Sequence, residues 1–439
     1  MLEEHLKEIV AFSNQLKIIV QTPGIFSRPA DRSFFGIRTD IPEGLHLEKY
    51  PYQQKIVSGA KRALFMQYPN GQIFLNPIAV GQIIASLDAV IMEENSHSSI
   101  GDKGSLGKKI DGEKGVSEED ILCNMQQYRD NFGDRVLAEY GEALDMMPEG
   151  VSVNKADSLD SMLQDCDIMI VTANQVEGNI LTRELIKANN NTPIACIPAD
   201  YQLYQFARIN GYSIVHVWPF SISSFTAHGS FRALTSALKR CTPKFVVSLG
   251  VAFGADPNKQ SLGDVIVAEK IIPYDAFNKR DDGSMILNVD EIYKTNQELL
   301  TSWFTLLNTP GQLRNFCEEK DLIPFKWYYG SVLSGGTVLS DINERKLLLD
   351  AASGRKIVGG EMEGHGIYFA CEQYGIPCIT IKGICDWGAL KNGWKKCGAE
   401  DPGRFKDCVQ AHAMRNAYYA LLYLLTRMAK DEEYSCSIN

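Results

Sequence analysis

From Asp165 to the C-terminus, short apolar runs alternate with segments of helical period, and this alternation constrains the fold more than any other feature of the chain. "CDIMIVTAN" ends in small and polar residues and is followed by the helix-like "QVEGNILTRELIKANNN"; "YSIVHVWPF" is followed by the helix-like "AHGSFRALTSALKRCTP". "KFVVSLGVAFGAD" and "DVIVAEKIIPYD" read as strands, and "NQELLTSWFTLLNT" and "NERKLLLDAAS" as helices. "RKIVGGEMEG" leads into a helix, "PCITIKGICDWG" reads as a strand, and "FKDCVQAHAMRNAYYALLYLLTRMA" is a periodic apolar helix. Strands and helices in such alternation bury a sheet between helical layers. The expected fold class is α/β, a layered mixed or parallel sheet flanked by helices, over residues 165–439.

The part before Asp165 reads differently. Residues 1–94 mix short apolar runs with turn residues and are expected to form a smaller α+β module. Residues 95–164 are expected to be a flexible linker and a helix. The linker reading rests on "EENSHSSIGDKGSLGKKIDGEKGVSEED", Glu93–Asp120, which is rich in Gly, Ser and charge and has too little apolar surface to order itself. The helix is expected after Ser117, where an acidic first turn opens "SEEDILCNMQQYRDNFGDRVLAEYGEAL".

Composition excludes several classes of function. A net charge of −10 repels phosphate backbones and anionic bilayers, so neither nucleic acid nor membrane is an expected partner. No apolar run approaches membrane-spanning length, and "MLEEHLKEIV" lacks the features of a signal peptide. The 11 cysteines form no C-x-x-C pair and the seven histidines are scattered, so neither a metal nor another cofactor is expected. Reduced thiols in a cytoplasm are the expected state.

Candidate chemistry lies at the ends of strands. Charged groups beside a core cost free energy unless something pairs or uses them. "GGEMEGHGIYFACEQYGIPCITIKGICDWG" holds Glu361, Glu363 and Asp386 among apolar segments. Glu177 stands just past another strand, and "GVAFG", Gly250–Gly254, reads as a loop after "KFVVSL". In α/β sheets, ligands sit beyond the carboxyl ends of the strands, so these features are candidates for one site.

These residues carry a resemblance. "IVTANQVEGNIL", "VVSLGVAFGADPNKQSLGDVIVAE", "SVLSGGTVLSD", "VGGEMEGHGIYFACEQYGIPCITIKGICDWG" and the C-terminal helix resemble, in order, the nucleoside phosphorylase/nucleosidase superfamily. The chain is most similar to methylthioadenosine/S-adenosylhomocysteine nucleosidases and their relatives in bacterial conflict systems, over about 165–430. The E-M-E-G motif with a following (R/K)-x-I-x-D is the specific part. The resemblance implies a purine N-glycosidase, cleaving the bond between an adenine-type base and ribose of a nucleoside or nucleotide such as ATP or AMP, in antiviral defence. It assigns Asp386 as the acid at the leaving base, with a raised pKa, and Glu177 as the base that activates water. Glu363 would accept the ribose hydroxyls, and Met362 would lie against the sugar. Gly250, Val251 and Ala252 would approach ribose and base, with Val338 and Leu339 beside the base. Glu361 is expected behind the site or at the surface. A homo-oligomer is implied, and the N-terminal region is read as a regulatory or partner-binding module.

Other readings stay open. Glu177 and Glu363 also suit the first turn of a helix, and Asp386 suits an Asx turn. Val338 and Leu339 also suit a core. Phosphorylases of the superfamily usually carry an arginine shortly before the glycine segment, and none stands in "KFVVSLGVAFG", which favours water as the nucleophile. Arg232 is the candidate anion ligand, or a helix-surface arginine. Lys391, Lys395 and Lys396 follow the acid as candidates for a charged 5′ end, or as a solvated loop. A phosphate-dependent phosphorylase and a non-catalytic nucleotide-binding sensor are the alternatives.

Overall fold

The structure is a computed structural model. It describes residues 2–20, 25, 47–62, 64–67, 73–98, 116–145, 150–154, 158–200, 202–219, 224–225, 229–275, 277–279, 285–287, 292–296, 299 and 312–436.

The first residues form an α+β unit with its own core, as the sequence predicts. Helices Leu2–Val20, Pro51–Arg62 and Pro77–Ser98 pack with a hairpin of β1 (Phe65–Gln67) and β2 (Ile73–Leu75). Phe12, Leu16, Leu47, Val57, Leu75, Ile83 and Leu87 are buried together there. Asp88 ties two of the helices by accepting from Ser13 Oγ at 2.8 Å and Lys17 Nζ at 2.7 Å. The Pro77–Ser98 helix runs through the first residues of the predicted flexible stretch, and 99–115 lie outside the described residues.

The main unit is a mixed sheet under helices. Its strands are β3 (Val151–Val153), β4 (Ile168–Val171), β5 (Ile194–Ala199), β6 (Gln202–Ile209), β7 (Tyr212–Pro219), β8 (Phe245–Gly254) and β9 (Val265–Pro273). After a separate hairpin of β10 (Phe277–Lys279) and β11 (Met285–Leu287) come β12 (Tyr293–Lys294), β13 (Trp327–Ser334), β14 (Ile357–Glu361) and β15 (Cys378–Asp386). The path β12-β9-β13-β14-β8-β4-β7-β6-β5-β3 makes one sheet, and β15 pairs with both β8 and β9. The pairings β8–β14, β14–β13, β13–β9, β9–β15 and β15–β8 therefore close a ring of five strands at one end of the sheet. β8 and β15 run parallel, while β14 crosses the end of β8 antiparallel. The strands are continuous Val/Ile/Leu runs because both faces are covered, here by helices such as Gln175–Ala188, Gly364–Tyr374 and Pro402–Cys436.

Two expectations are corrected. "GVAFG" is not a loop: Gly250–Gly254 continue β8 to its end. Glycine is needed there because neighbours press on the strand; a Cβ on Gly254 would lie 2.5 Å from the Trp387 ring. The second concerns the helix in 95–164. It starts where predicted, as Glu118–Asp145, with Asp120 Oδ2 accepting from Ser117 N at 2.8 Å and Ser117 Oγ accepting from Asp120 N at 3.2 Å. It is no part of a linker, however. Ile121, Tyr128, Val136 and Tyr140 are buried in the main core, Tyr128 Oη bonds His412 Nδ1 at 2.6 Å, and Glu139 pairs with Arg415. β3 also joins the sheet beside β5.

The structured unit thus begins near Val116 rather than Asp165. A chain of 116–439 is expected to unfold cooperatively and stay in solution. A chain of 165–439 exposes the apolar face of the Pro402–Cys436 helix and is expected to aggregate. Equal unfolding midpoints for the two fragments would contradict this boundary.

Candidate active site

The site is built where β8, β14 and β15 meet. Lys382 of β15 stands opposite Gly250 of β8, and Asp386 opposite Phe253; Gly359 and Gly360 of β14 stand opposite Gly254 and Phe253. The convergence lies where strand direction changes, rather than along one carboxyl edge.

Glu177 reaches this point from the turn after β4. Asn174 caps the Gln175–Ala188 helix by accepting from Glu177 N at 3.0 Å, and Glu177 Oε2 accepts from Ala173 N at 2.7 Å and Asn174 N at 3.2 Å. Its other oxygen, Oε1, accepts from Val251 N at 2.9 Å on β8. Glu177 is 1% exposed, and its carboxylate lies so close to β8 that a Cβ on Gly250 would stand 2.6 Å from Oε1. Only glycine allows that approach. The capping reading is thus realised at one oxygen, and the other faces the site.

The two glutamates of "EMEG" divide their work. Glu361 ends β14, is buried, and accepts from Glu363 N at 3.0 Å and Gly364 N at 2.8 Å through Oε2. It therefore caps the Gly364–Tyr374 helix and does not stand at the surface. Glu363 occupies the N-cap position with no side-chain capping bond, so its carboxylate turns elsewhere. Ser224 Oγ donates to Met362 O at 2.9 Å and Ser230 Oγ to Glu363 O at 3.2 Å, which fix the two successive carbonyls of Met362 and Glu363.

Both acids face a residue that the sequence reading left without a role. Lys382 is 1% exposed, with Nζ 3.6 Å from Glu363 Oε2 and 3.7 Å from Glu361 Oε2. Burial alone would drive its ammonium toward neutrality. The carboxylates of Glu363, Glu177 and Glu361 outweigh burial and hold its pKa above the ordinary lysine value. One buried cation thus stands among three buried acids. Separations near 3.6 Å are ion pairs rather than close hydrogen bonds, and Glu361 Oε1 is a buried oxygen without a hydrogen-bond partner. The signal was available in the sequence: a lysine inside "CITIKGIC" interrupts an otherwise apolar strand, and a buried lysine requires partners.

Asp386 ends β15. Oδ1 accepts from Gly388 N at 2.7 Å, an Asx turn, and Oδ2 accepts from Lys391 Nζ at 2.8 Å. Burial pushes its pKa up, but the Lys391 ammonium and the Gly388 N–H push harder in the opposite direction. The net effect is a pKa below the ordinary aspartate value. A raised value was expected for a leaving-group acid, and the lysine five residues on is the reason for the difference. Lys391, in turn, is opposed by burial but held above its ordinary value by Asp386. Arg345, itself buried, donates from Nε to Trp387 O and from Nη2 to Ala255 O, each at 2.5 Å, and so ties the turn after Asp386 to the end of β8.

The remaining candidates are distributed as follows. Val251 is partly buried and Ala252 buried in β8; Leu339 packs with Phe253, Tyr274 and Leu333, while Val338 is 39% exposed. Arg232 is exposed on the Ser230–Leu238 helix. Lys395 and Lys396 are exposed, with Lys396 paired to Glu118. Of the three lysines after the acid, Lys391 is the one that meets Asp386.

A death domain-containing ATP nucleosidase of Amphimedon queenslandica is 26% identical over 155 residues, 33% of this chain and 28% of that protein. The ATP nucleosidase Cap17 of Escherichia coli strain KTE188 is 26% identical over 200 residues, 40% of this chain and 39% of that protein. The chain therefore spans well under half the length of these relatives. Among solved structures, a methylthioadenosine/S-adenosylhomocysteine nucleosidase of Neisseria meningitidis aligns with a TM-score of 0.44 and 14% identity, covering 58% of this chain and 97% of that one. The corresponding enzyme of Colwellia psychrerythraea aligns with a TM-score of 0.43 and 17% identity, covering 60% and 96%. Residues 226–421, which hold β8, Glu361, Glu363, Lys382 and Asp386, match the sequence profile of the phosphorylase superfamily.

Proposed function

We propose that this chain hydrolyses the N-glycosidic bond between an adenine-type base and the ribose of a purine nucleoside or nucleotide. The observation that carries the reading is the buried cluster of Glu177, Glu361 and Glu363 around Lys382. Cleavage of such a bond passes through an oxocarbenium-like sugar, and fixed negative charge in a water-poor site stabilises it. Glu363 and Lys382 offer an acceptor and a donor for the ribose hydroxyls. Glu177, held on Val251 N, is the base for a water on the far face of the sugar. Met362, Gly250, Val251 and Ala252 border the sugar, and Val338 and Leu339 the base. The Asp386–Lys391 pair faces the departing purine. Two relatives named ATP nucleosidases support a nucleotide as the substrate.

The reading includes a cytoplasmic location, a homo-oligomer and a role in antiviral defence. It also includes regulation through the N-terminal unit. Gln82 Nε2 donates to Asn179 Oδ1 at 3.4 Å and Ser86 Oγ to Gln175 Oε1 at 2.9 Å, so that unit rests on the helix that carries Glu177.

The test is free adenine released from ATP, AMP and adenosine in phosphate-free buffer with a chelator. Release at full rate is expected, because acids and lysines supply the proton transfers. A rate that scales with added phosphate would replace the hydrolase by a phosphorylase, with Arg232 the first candidate phosphate ligand. Binding without release would make the chain a sensor.

A further inference from the structure

Beneath the first turn of the Gln175–Ala188 helix lies a layer of polar side chains. Thr172 follows β4, His216 stands in β7, Gln205 is directly opposite it in β6, and Thr182 lies on the helix itself; all four are buried. Thr172 Oγ1 and His216 Nε2 are 2.9 Å apart, His216 Nδ1 and Gln205 Oε1 2.7 Å, and Thr182 Oγ1 and Gln205 Oε1 2.9 Å. Thr182 Oγ1 also donates to Gly178 O at 2.7 Å. The hydrogen bonds therefore run from the residue before Ala173 round to the residue after Glu177. Those are the two ends of the turn whose Ala173 and Asn174 N–H groups hold the Glu177 carboxylate. Gly178 lies against the Trp218 ring with no room for a Cβ, and that ring stacks on His216 with 6.1 Å between centroids and 12° between planes.

The protons available fix the imidazole tautomer. Thr182 has one hydroxyl proton for two acceptors, and Gln205 Nε2 is buried without a partner. Turning the Gln205 amide over resolves both. Its Nε2 then donates to Thr182 Oγ1 and to His216 Nδ1, Thr182 donates to Gly178 O, and His216 donates from Nε2 to Thr172 Oγ1. What remains is one buried carbonyl oxygen on Gln205, which is better tolerated than an unpaired amide N–H. Burial lowers the His216 pKa to about 3, so the ring is neutral at working pH and acts through geometry rather than charge.

Apolar side chains would fill a sheet–helix interface as well as this layer does, and a buried polar network is costly unless its members are satisfied. What hydrogen bonds add is direction, since each fixes an angle as well as a distance. We propose that His216 is a positioning residue for the reaction, holding the Thr172–Glu177 turn so that Glu177 Oε1 stays on Val251 N and meets the attacking water. This rests on the N-glycosidase reading of the same site. Glu177 takes a proton from that water in the chemical step, so a misplaced Glu177 should lower kcat and leave KM. A displacement of about 1 Å costs up to about 10²-fold in rate.

The experiment is a double-mutant cycle on adenine release from ATP by the full chain. His216→Leu should lower kcat by about 10-fold to 10²-fold, with KM within about 2-fold of wild type. His216→Gln keeps an N–H near the place of Nε2 and should recover most of the rate. In a Glu177→Gln background, His216→Leu should cost nothing further, because the base that it positions is gone. Losses that multiply in the double variant, or a loss confined to KM, would overturn the proposal and make the layer packing alone. Should His216→Leu fail to fold, Thr172→Val and Thr172→Ser make the comparison from the other end of the same bond. Valine should lower kcat as leucine does and serine should recover it; equal rates in the two overturn the proposal.

Hydrogen exchange reads the same turn without turnover. The Ala173 and Asn174 amides should exchange about 10-fold faster or more in His216→Leu than in wild type, with the amides of β8 unchanged. Equal exchange overturns the proposal. No adenine release by the wild type, together with that faster exchange, overturns the hydrolase reading and leaves the positioning of Glu177 standing.

Discussion

Asp386→Asn is expected to lower adenine release by about 10²–10⁴-fold, the range for disabling proton transfer at a leaving group, because it breaks the Asp386–Lys391 ion pair. The amide keeps the shape and can still accept from Gly388 N, so the turn survives. It loses the charge that holds Lys391 in place. The two side chains act as one unit, so the double variant Asp386→Asn with Lys391→Met should be scarcely slower than Asp386→Asn alone. Single-turnover rates measure this. Losses that multiply across the two substitutions would mean that the residues act separately, and turnover within a few-fold of wild type would remove Asp386 from the chemistry.

Lys382→Met is expected to be the most destabilising single change in the site, by about 3–5 kcal/mol, because it leaves buried acids without their cation. Methionine fills the volume, so the loss reads charge rather than a cavity. The pH dependence carries the sign. The folded pKa of Lys382 lies above its ordinary value of 10.5, so the wild type keeps this stabilisation below that pH and loses it only in strong alkali. The gap between the two proteins should therefore stay constant from acid to neutral pH and close only as Lys382 loses its proton in strong alkali. Denaturant unfolding at several pH values checks this. A variant as stable as wild type at neutral pH would mean that the three acids do not depend on Lys382.

The sequence made the sheet and its helices legible because buried strands and amphipathic helices differ in period. The acids were legible because each interrupts an apolar run. The ring of strands was not, because the pairing of β15 with both β8 and β9 joins segments more than 100 residues apart and leaves no local pattern. The continuation of β8 through "GVAFG" was hidden for a related reason. Glycines read as a loop, whereas here Glu177 and Trp387 press on an extended strand. The Glu118–Asp145 helix stood next to a low-complexity stretch and took on its linker reading, although its partner helix lies at the other end of the chain. Lys391 showed only as one of three basic residues in a loop; which of them turns to Asp386 is set by the Gly388 turn, where φ is 65°.

The central claim is that water, activated beside Glu177, attacks the anomeric carbon of an adenine nucleotide. The most direct test is one turnover of ATP in oxygen-labelled water, with the products resolved by mass. The account predicts one labelled oxygen in the ribose triphosphate product at C1′, unlabelled adenine and no ribose 1-phosphate ester. Label in the phosphates, or a 1-phosphate ester in place of the labelled sugar, would contradict it.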